Sequence, residues 1–425
     1  MSKFHITGGI KLSGEIVVSG AKNAVLPILA ATIMNGNINI IKDCPDLKDV
    51  RTMLEILDAI GCRTDFKGNV IVIDSKPLNT YIIPENLVSE MRSSVFLLGP
   101  MLSRCGRVVL SYPGGCEIGP RPIDLHIKVL KSLGVSIQES HGLLECRTER
   151  LKGCDIQLDF PSVGATENAM LVSVLAEGTT IIRNAAKEPE IVDLQNFLNK
   201  MGAKISGAGT SEIYIEGRKK LTEVEHSIIP DRIFAGTILA AAAITGGEVF
   251  LKNVIPEHVR IVLSKFSESG CTIKEENNGV YLKAPERLKS IEMIKTLPYP
   301  GFPTDMQSQF LSLMSVAEGT SIITETIFEN RFKIVDELAK MGCKIKVDGR
   351  IAIVSGVDYL TGARVFAKDL RGGAALVLAG LAAKGETVVE NVCHIDRGYD
   401  KLEVCINELG GRISREVIGT KDESH

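Results

Sequence analysis

Apolar and polar residues follow one another along the chain in a pattern that repeats six times. A glycine closes an amphipathic helix about every 70 residues. In the segments before these glycines, such as VRTMLEILDAIG and IVDLQNFLNKMG, apolar residues fall at i, i+3 and i+4, which predicts a helix with one buried face. Glycine at the end of such a helix suits a left-handed C-cap. The closing glycines are Gly61, Gly134, Gly202, Gly270, Gly342 and Gly410.

A second series of glycines marks the other half of each repeat. Each follows a helix that is apolar on nearly all sides and precedes a short β-branched strand, as in AEGTTII and AEGTSII. These glycines are Gly36, Gly106, Gly178, Gly247, Gly319 and Gly385. A helix that is apolar all round is expected inside its domain. Each repeat therefore reads as strand, apolar helix, strand, amphipathic helix and strand pair. We predict an α/β protein of two domains with three repeats each.

Composition narrows the possible functions. The 425 residues carry a net charge of −3, are 5% aromatic and contain no tryptophan, so neither a basic field nor a stacking platform for nucleic acid is indicated. The longest apolar run, residues 234–245, is shorter than the about 20 residues of a membrane span. MSKFHITGG lacks the apolar core of a signal peptide, and we expect a cytoplasmic protein without a membrane partner.

Cysteine, histidine and glycine spacing argue against a metal or a cofactor. The ten cysteines form no Cys-x-x-Cys pair, and the seven histidines include no H-E-x-x-H. Neither a phosphate-binding G-x-x-x-x-G-K-[ST] loop nor a G-x-G-x-x-G helix start is present. We therefore expect no metal and no cofactor. Most cysteines are expected to be buried apolar side chains.

Polar residues collect at the predicted helix starts, where unpaired N–H groups attract anions. They occur in SGAKNA, SEMRSS, PSVGAT, PDRIFAG, FPTDMQ, KDLRGG, GPRPID, FENR and HIDRG. Several cations at equivalent corners of a sixfold pattern would suit a substrate with several phosphates or carboxylates. The alternative is that these residues are ordinary N-caps and surface ion pairs, and residue types alone leave both interpretations open.

One loop carries a thiol in an unusual setting. In LSYPGGCEIGPRPIDLH, Cys116 lies between two glycines and a Gly-Pro-Arg-Pro turn, just before a predicted helix. An arginine and loop N–H groups near a thiol favour the thiolate. This loop, together with SGAKNAVLPIL, SVGATEN, FPTDMQSQ, ETIFENRF and CHIDRGYDKLE, closely resembles the UDP-N-acetylglucosamine 1-carboxyvinyltransferases, a branch of the enolpyruvyl transferase family. The resemblance extends from about residue 3 to about residue 415.

The resemblance implies a fold and a reaction. The fold is two inside-out α/β domains with pseudo-threefold symmetry, one of residues 22–229 and one of residues 1–21 plus 230–425, completed by the N-terminal strand. The reaction is transfer of the enolpyruvyl group of phosphoenolpyruvate to the 3-hydroxyl of UDP-N-acetylglucosamine, with release of phosphate, as the first committed step of peptidoglycan synthesis. The expected partners are these two small molecules, with no obligate protein partner.

The resemblance also implies roles for individual residues. Cys116 is the expected proton donor and the residue that fosfomycin alkylates, and Asp305 is the candidate base and ligand of the sugar hydroxyl. The expected catalytic residues are Cys116, Asp305, Lys22 and Arg397, and the expected phosphoenolpyruvate ligands are Lys22, Asn23, Arg121 and Arg397. The expected nucleotide-sugar ligands are Arg92, Arg121, Pro122, Ile123, Asp124, Leu125, Ser162, Val163, Gly164, Asp305 and Ile327, while Arg331, Asp369 and Arg371 line the closed cleft.

The sequence departs from some members of that branch at two places. Phe160 and Pro161 stand where some carry a lysine just before SVGAT, and Phe96 stands where some carry tryptophan. Two alternative functions remain open. The first is enolpyruvyl transfer to another acceptor, such as shikimate 3-phosphate. The second is a non-catalytic paralogue that binds the nucleotide sugar and regulates a partner.

Overall fold

The computed structural model describes residues 2–114, 123–276 and 278–417. Contacts between α-carbons divide the chain into two compact units. One unit, called the N/C unit here, contains residues 2–19 and 230–417, and the other, called the central unit, contains residues 20–114 and 123–229. Each unit has one continuous apolar core of its own. The central unit holds repeats 1 to 3 and the N/C unit holds repeats 4 to 6.

The first helix of each repeat is buried in the core of its unit. In the helix of repeat 4, all residues from Ile233 to Ile244 are buried. These six helices span Lys22–Ala31, Leu98–Cys105, Val163–Ser173, Arg232–Ile244, Gln307–Met314 and Leu370–Ala382. The expectation that helices apolar on all sides lie inside is confirmed, because such a helix has no polar face to present to water.

The second helix of each repeat buries one face and exposes the other, as the i, i+3, i+4 spacing predicts. These helices span Lys48–Ala59, Asp124–Ser132, Pro189–Lys200, Pro256–Glu268, Val335–Lys340 and Leu402–Glu408. The six glycines that close them all adopt positive φ, between 85° and 100°. A side chain is strained in this conformation, which explains why glycine recurs at this one position.

The strands of each repeat form a small sheet with one shared topology. The outer strand runs parallel to the strand after the buried helix, and the last strand of the repeat lies between that strand and its hairpin partner. In spatial order, the sheet of repeat 1 consists of Glu225–Ser227, Ile38–Lys42, Val70–Asp74 and Arg63–Lys67, and that of repeat 3 of Asp155–Gln157, Thr179–Arg183, Glu212–Glu216 and Lys204–Ser206. The sheet of repeat 4 consists of Ser13–Val17, Glu248–Lys252, Gly279–Lys283 and Thr272–Glu276, and that of repeat 5 of Met293–Lys295, Thr320–Thr324, Ile351–Ser355 and Lys344–Asp348. The sheet of repeat 6 consists of Arg364–Phe366, Glu386–Glu390, Ser2–Thr7 and Arg412–Val417.

Repeat 2 has a three-stranded sheet, in the order Arg107–Ser111, Leu143–Arg147 and Ser136–Ser140. A single parallel bridge from Ile82 to Val109 stands in the place of its outer strand. The remaining elements are a two-stranded sheet of Leu360–Thr361 and Ala383–Lys384, the short helix Glu85–Glu90, and the 3₁₀ helices Arg92–Leu97, Thr304–Met306, Arg331–Ile334 and Val392–Arg397.

The N-terminal residues complete two sheets of the N/C unit. Ser2–Thr7 pairs antiparallel with both Glu386–Glu390 and Arg412–Val417, so it occupies the position that the last strand of the repeat occupies elsewhere. Ser13–Val17 pairs parallel with Glu248–Lys252. Within the described ranges, no helix is long and apolar enough to cross a membrane. The α/β fold of six repeats in two units is confirmed.

One turn differs in detail from the expected glycine pattern. In repeat 4, Gly246 takes the positive φ of 66°, whereas Gly247 does not adopt this conformation. Gly247 is needed for another reason, because a Cβ at this position would lie 2.1 Å from the carbonyl oxygen of Leu12. The backbone of the N-terminal segment approaches here too closely for any side chain.

Candidate active site

Asp305 lies in the 3₁₀ turn Thr304–Met306 and binds two arginines of the N/C unit. Arg331 Nη2 donates to one carboxylate oxygen at 2.6 Å, and Arg371 Nη2 donates to the other at 3.0 Å. The arginine side chains are each only 4% exposed, whereas that of Asp305 is 25% exposed. The structure therefore brings together three of the residues that the sequence predicts for the site, with the carboxylate nearest to solvent.

Asp369 completes this cluster from the start of the buried helix of repeat 6. Its carboxylate caps the helix by accepting from the backbone N–H groups of Arg371 at 3.0 Å and Gly372 at 2.9 Å. It also lies 3.9 Å from Arg331 Nη1. Asp369 is thus an N-cap that also forms an ion pair with the cluster, as the N-cap and ion-pair interpretation predicts, and its role as a ligand stays a prediction.

The two arginines determine the protonation of Asp305. Burial raises the pKa of a carboxyl group, but the positive charges of Arg371 and Arg331 outweigh burial here and hold the pKa of Asp305 well below its usual range. Burial likewise opposes the charge on Arg371, while the neighbouring Asp305 raises the pKa of its guanidinium. Asp305 and Arg371 are therefore both ionised at neutral pH.

Part of the donor capacity of these arginines is unused. Nε of Arg331 and Nη1 of Arg371 are buried and have no hydrogen-bond partner among the described residues. Buried N–H donors without a partner are rare in native proteins, and these two belong to guanidinium groups that bind the same carboxylate. The cluster is suited to bind a carboxylate or phosphate beside Asp305.

Glu325 organises the same region and was missed by the sequence analysis. It is 1% exposed, and its oxygens accept from Thr296 Oγ1 and Thr304 Oγ1, each at 2.9 Å, and from the backbone N–H of Ile327 at 2.7 Å. One carboxylate therefore fixes both the segment that carries Asp305 and the predicted ligand Ile327. A glutamate in a loop gives no periodic signal, so sequence spacing does not indicate this role.

In the central unit, Lys22 opens the buried helix of repeat 1. Its ammonium lies 2.8 Å from the Asp49 carboxylate, which belongs to the second helix of the same repeat. The two side chains are 9% and 4% exposed. Asn23, the next residue of the helix, is half-buried. Asp49 was also missed, because an acidic residue in the first turn of a helix is ordinary.

A second predicted group of the central unit surrounds the start of the helix Val163–Ser173. Ser162 is its N-cap and accepts from Ala165 N at 3.3 Å. A Cβ at Gly164 would meet His126 at 3.1 Å, so this glycine allows the helix to pack against the imidazole. His126 is fixed by Asn168, whose Nδ2 lies 2.8 Å from its Nδ1. The helix start is held rigidly, and its first N–H groups are suited to bind an anion.

The other predicted site residues lie at element boundaries. Arg92 begins a 3₁₀ helix and Arg397 ends one, and each has interactions within the described structure. Ile123 is buried, Asp124 is exposed, and Leu125, Val163 and Ile327 are half-buried. Phe160, which departs from the pattern of some relatives, is 43% exposed. Cys116, Arg121 and Pro122 lie outside the described residues.

Metal chemistry finds no support in the part of the chain that is described. No group of three or more histidine, cysteine, aspartate or glutamate residues within residues 2–114, 123–276 and 278–417 could hold a metal ion.

Burial raises the pKa of several cysteine thiols, to about 12 for Cys44, Cys62 and Cys146, as expected of packed thiols.

Comparison with known proteins decides the family. The EPSP synthase (3-phosphoshikimate 1-carboxyvinyltransferase) family profile matches residues 6–404. The chain belongs to this family. Within it, the chain is 57% identical over 415 residues to UDP-N-acetylglucosamine 1-carboxyvinyltransferase 2 of Caldanaerobacter subterraneus subsp. tengcongensis, covering 98% of this chain and 100% of that protein. It is 55% identical to UDP-N-acetylglucosamine 1-carboxyvinyltransferase 1 of Symbiobacterium thermophilum, covering 97% and 95%.

Solved structures of enolpyruvyl transferases share the architecture. The enolpyruvyl transferase NikO from Streptomyces tendae has a TM-score of 0.88 at 26% identity, covering 97% of this chain and 98% of that one. EPSP synthase from Acinetobacter baumannii has a TM-score of 0.75 at 20% identity, covering 98% and 100%, and supports the fold alone. The enolpyruvyl transferase family expected from the motifs is thus confirmed.

Proposed function

We propose that the chain transfers the enolpyruvyl group of phosphoenolpyruvate to the 3-hydroxyl of UDP-N-acetylglucosamine and releases phosphate. The observation that carries the proposal is the 57% identity, over the whole length of the relative, to a protein named UDP-N-acetylglucosamine 1-carboxyvinyltransferase 2. The charged cluster at Asp305 supports it, because this chemistry needs both an acceptor for the hydroxyl proton and cations for the anionic substrate.

Asp305 is the proposed ligand of the acceptor hydroxyl and the proposed base. In the present arrangement its two oxygens accept from Arg331 and Arg371, and its pKa is held well below the usual range. A carboxylate in that state accepts a hydrogen bond but takes a proton poorly. It orients the hydroxyl first and needs a change in its surroundings before it removes the proton.

The second substrate can supply that change. Phosphoenolpyruvate carries a carboxylate and a phosphate, and the unused donors Arg331 Nε and Arg371 Nη1 are suited to bind one of them. The bound anion would neutralise positive charge beside Asp305 and raise its pKa towards that of a working base. Binding of the anion and activation of the base would then be coupled through the same two guanidinium groups.

The remaining roles follow the motif match. Lys22, Asn23, Arg121 and Arg397 are the proposed ligands of phosphoenolpyruvate, and Asp49 holds the ammonium of Lys22 in place at 2.8 Å. Cys116 is the proposed proton donor to the methylene carbon of phosphoenolpyruvate. The acceptor oxygen bonds to the neighbouring carbon, which gives a tetrahedral intermediate. Loss of phosphate and of a proton from the new methyl group then restores the carbon–carbon double bond and gives the enol ether product.

The proposed function is tested by phosphate release. Wild-type protein is incubated with phosphoenolpyruvate and either UDP-N-acetylglucosamine or shikimate 3-phosphate, and inorganic phosphate is measured over time. We expect release with the nucleotide sugar alone. Phosphate release with shikimate 3-phosphate alone would show that shikimate 3-phosphate, and not the nucleotide sugar, is the acceptor. Binding of the nucleotide sugar without phosphate release would indicate the non-catalytic paralogue.

The role of Cys116 is tested separately with fosfomycin. We expect the intact mass to increase by one inhibitor molecule and peptide mapping to place it on Cys116. Cys116→Ser should lower turnover at least a hundredfold, the size typical of a missing general acid, while its melting temperature stays within about 2 °C of wild type. A variant with unchanged turnover would contradict the role of Cys116 but not the assignment of substrates.

A further inference from the structure

A buried polar network lies beneath Arg371, among the three first helices of the N/C unit. It consists of Thr237 on the helix Arg232–Ile244, Gln309 on Gln307–Met314, and Tyr399, which follows the 3₁₀ helix Val392–Arg397. Their exposures are 1%, 0% and 1%. None of the three was singled out in the sequence. Polar groups at this depth are costly unless they are paired, so their retention needs a reason.

The direction of each hydrogen bond can be derived. The Thr237 hydroxyl donates its single hydrogen to the carbonyl oxygen of Ile233 at 2.8 Å. At 3.0 Å from Tyr399 Oη, the oxygen of Thr237 must therefore accept, and the Tyr399 hydroxyl donates. Gln309 Nε2 donates to both oxygens, at 3.1 Å to Thr237 and 3.2 Å to Tyr399.

Tyr399 contacts Arg371 through its ring. The tyrosine hydroxyl is committed to Thr237 and Gln309, which fixes the orientation of the ring. The guanidinium carbon of Arg371 lies 5.4 Å from the centre of this ring, a distance at which the ring attracts a cation. Arg371 thus has two contacts, an ion pair with Asp305 at 3.0 Å and the ring of Tyr399.

We propose that Tyr399, oriented by Thr237 and Gln309, is a positioning residue that fixes the Arg371 guanidinium against Asp305. The proposal rests on the proposed function only in assigning Arg371 to the reacting site. The second contact, with the tyrosine ring, restricts a rotation of the guanidinium that Asp305 alone would allow. A fixed plane keeps the unused Nη1 donor aimed for an anion, and such preorganisation is what a charged transition state requires.

The first experiment is a double-mutant cycle between Tyr399→Phe and Arg371→Lys. Tyr399→Phe keeps the ring and removes the hydroxyl. We expect it to lower kcat about fivefold in the wild-type background, because the ring loses the hydrogen bond to Thr237 that orients it. In the Arg371→Lys background, we expect the same change to lower kcat less than about twofold, because the planar group that Tyr399 holds is absent. Equal factors in both backgrounds would overturn the proposal.

Matched variants separate positioning from general loosening of the core. Tyr281→Phe removes a hydroxyl in the same unit that donates to Glu248 at 2.9 Å, and kcat should stay within about twofold of wild type. Thr237→Val leaves Tyr399 intact but removes the acceptor of its hydroxyl hydrogen, and should reproduce part of the loss in kcat. Full activity in both Tyr399→Phe and Thr237→Val would also overturn the proposal.

A second measurement does not depend on turnover. Phenylglyoxal modifies arginine side chains, and peptide mass mapping gives the rate at Arg371, whose side chain is 4% exposed in the native protein. We expect Tyr399→Phe to speed modification of Arg371 about tenfold and Tyr281→Phe to leave it unchanged. If wild-type protein released no phosphate with UDP-N-acetylglucosamine, the proposed function would fail. An unchanged modification rate in Tyr399→Phe would instead overturn the role of Tyr399.

Discussion

Two carboxylates, Asp305 of the N/C unit and Glu167 of the central unit, have opposite surroundings. Asp305 of the N/C unit accepts from two arginines, and its pKa is held well below the usual range. Glu167 of the central unit is 1% exposed, and neither of its oxygens has a hydrogen-bond partner among the described residues. Burial, with the nearby charges of Glu190 and Glu188, raises the pKa of Glu167 well above its usual value. Asp305 is therefore ionised at neutral pH, whereas the surroundings of Glu167 favour its neutral form.

The difference shows why burial alone does not identify a catalytic acid or base. Both residues lie next to motifs of the enolpyruvyl transferase pattern, FPTDMQSQ and SVGATEN. Asp305 is 25% exposed, so a substrate can reach it, and its charge is balanced by cations that have further donors to offer. Glu167 belongs to the buried part of the helix Val163–Ser173. Access and charge balance, rather than depth, distinguish a site carboxylate from a structural one.

The largest expected effect separates the two carboxylates directly. Asp305→Asn keeps the size of the side chain but removes the charge and the capacity to take a proton. We expect kcat for phosphate release to fall about a thousandfold, within the range typical of a missing general base. Asp358→Asn is the matched control, since Asp358 is 83% exposed and pairs only at the surface with Arg287. Asp358→Asn should not change kcat, and a comparable loss of kcat in this control would contradict the proposed role of Asp305.

The lowered pKa of Asp305 also predicts how the stability of the protein depends on pH. Its folded pKa lies below the unfolded value of about 4, so its ion pairs stabilise the fold above that pH and are lost as the pH falls through the folded value. Asp305→Asn should therefore lower the urea concentration at the midpoint of unfolding at pH 7. At pH 3 the difference in this midpoint between the variant and wild type should be smaller. A difference that grows towards pH 3 would contradict the depressed pKa.

An intermediate case is Asp49, whose carboxylate lies 2.8 Å from the Lys22 ammonium. Asp49→Asn leaves the Lys22 ammonium, 9% exposed, without its carboxylate. Removing one partner of a buried ion pair costs about 3 kcal/mol in the free energy of unfolding, and urea denaturation measures it. Asp46→Asn is the control, because Asp46 pairs with Arg51 at a well-exposed position and should cost less than about 1 kcal/mol.

The fold was predictable because its determinants are periodic. Six closing glycines at positive φ, six buried apolar helices and six amphipathic helices follow from local spacing. The sheet of repeat 6 was not predictable from spacing, since Ser2–Thr7 pairs with strands almost 400 residues away. That pairing is long-range and leaves no local signal, so the place of the N-terminal strand came from family resemblance.

The site was predictable in its charged residues and not in what holds them. Asp305, Arg331 and Arg371 stand in recognisable motifs, and the structure brings them together. Glu325 and Tyr399 stand within such motifs and Asp49 stands outside them, but all three act through partners that are distant along the chain. Their roles depend on which side chains meet in three dimensions, which residue type and spacing do not specify.

The smallest expected effect tests the other carboxylate. Because the pKa of Glu167 is raised on folding, the unfolded chain binds fewer protons than the native state above about pH 4.3, and stability falls as pH rises. Glu167→Gln is neutral at every pH and removes this dependence. We expect the free energy of unfolding of the variant to rise relative to wild type between pH 5 and pH 7, measured by urea unfolding. Glu177→Gln, at an exposed glutamate of the same unit, should gain nothing. If both variants followed wild type with pH, Glu167 would be ionised in the native protein, and the contrast with Asp305 would be one of exposure alone.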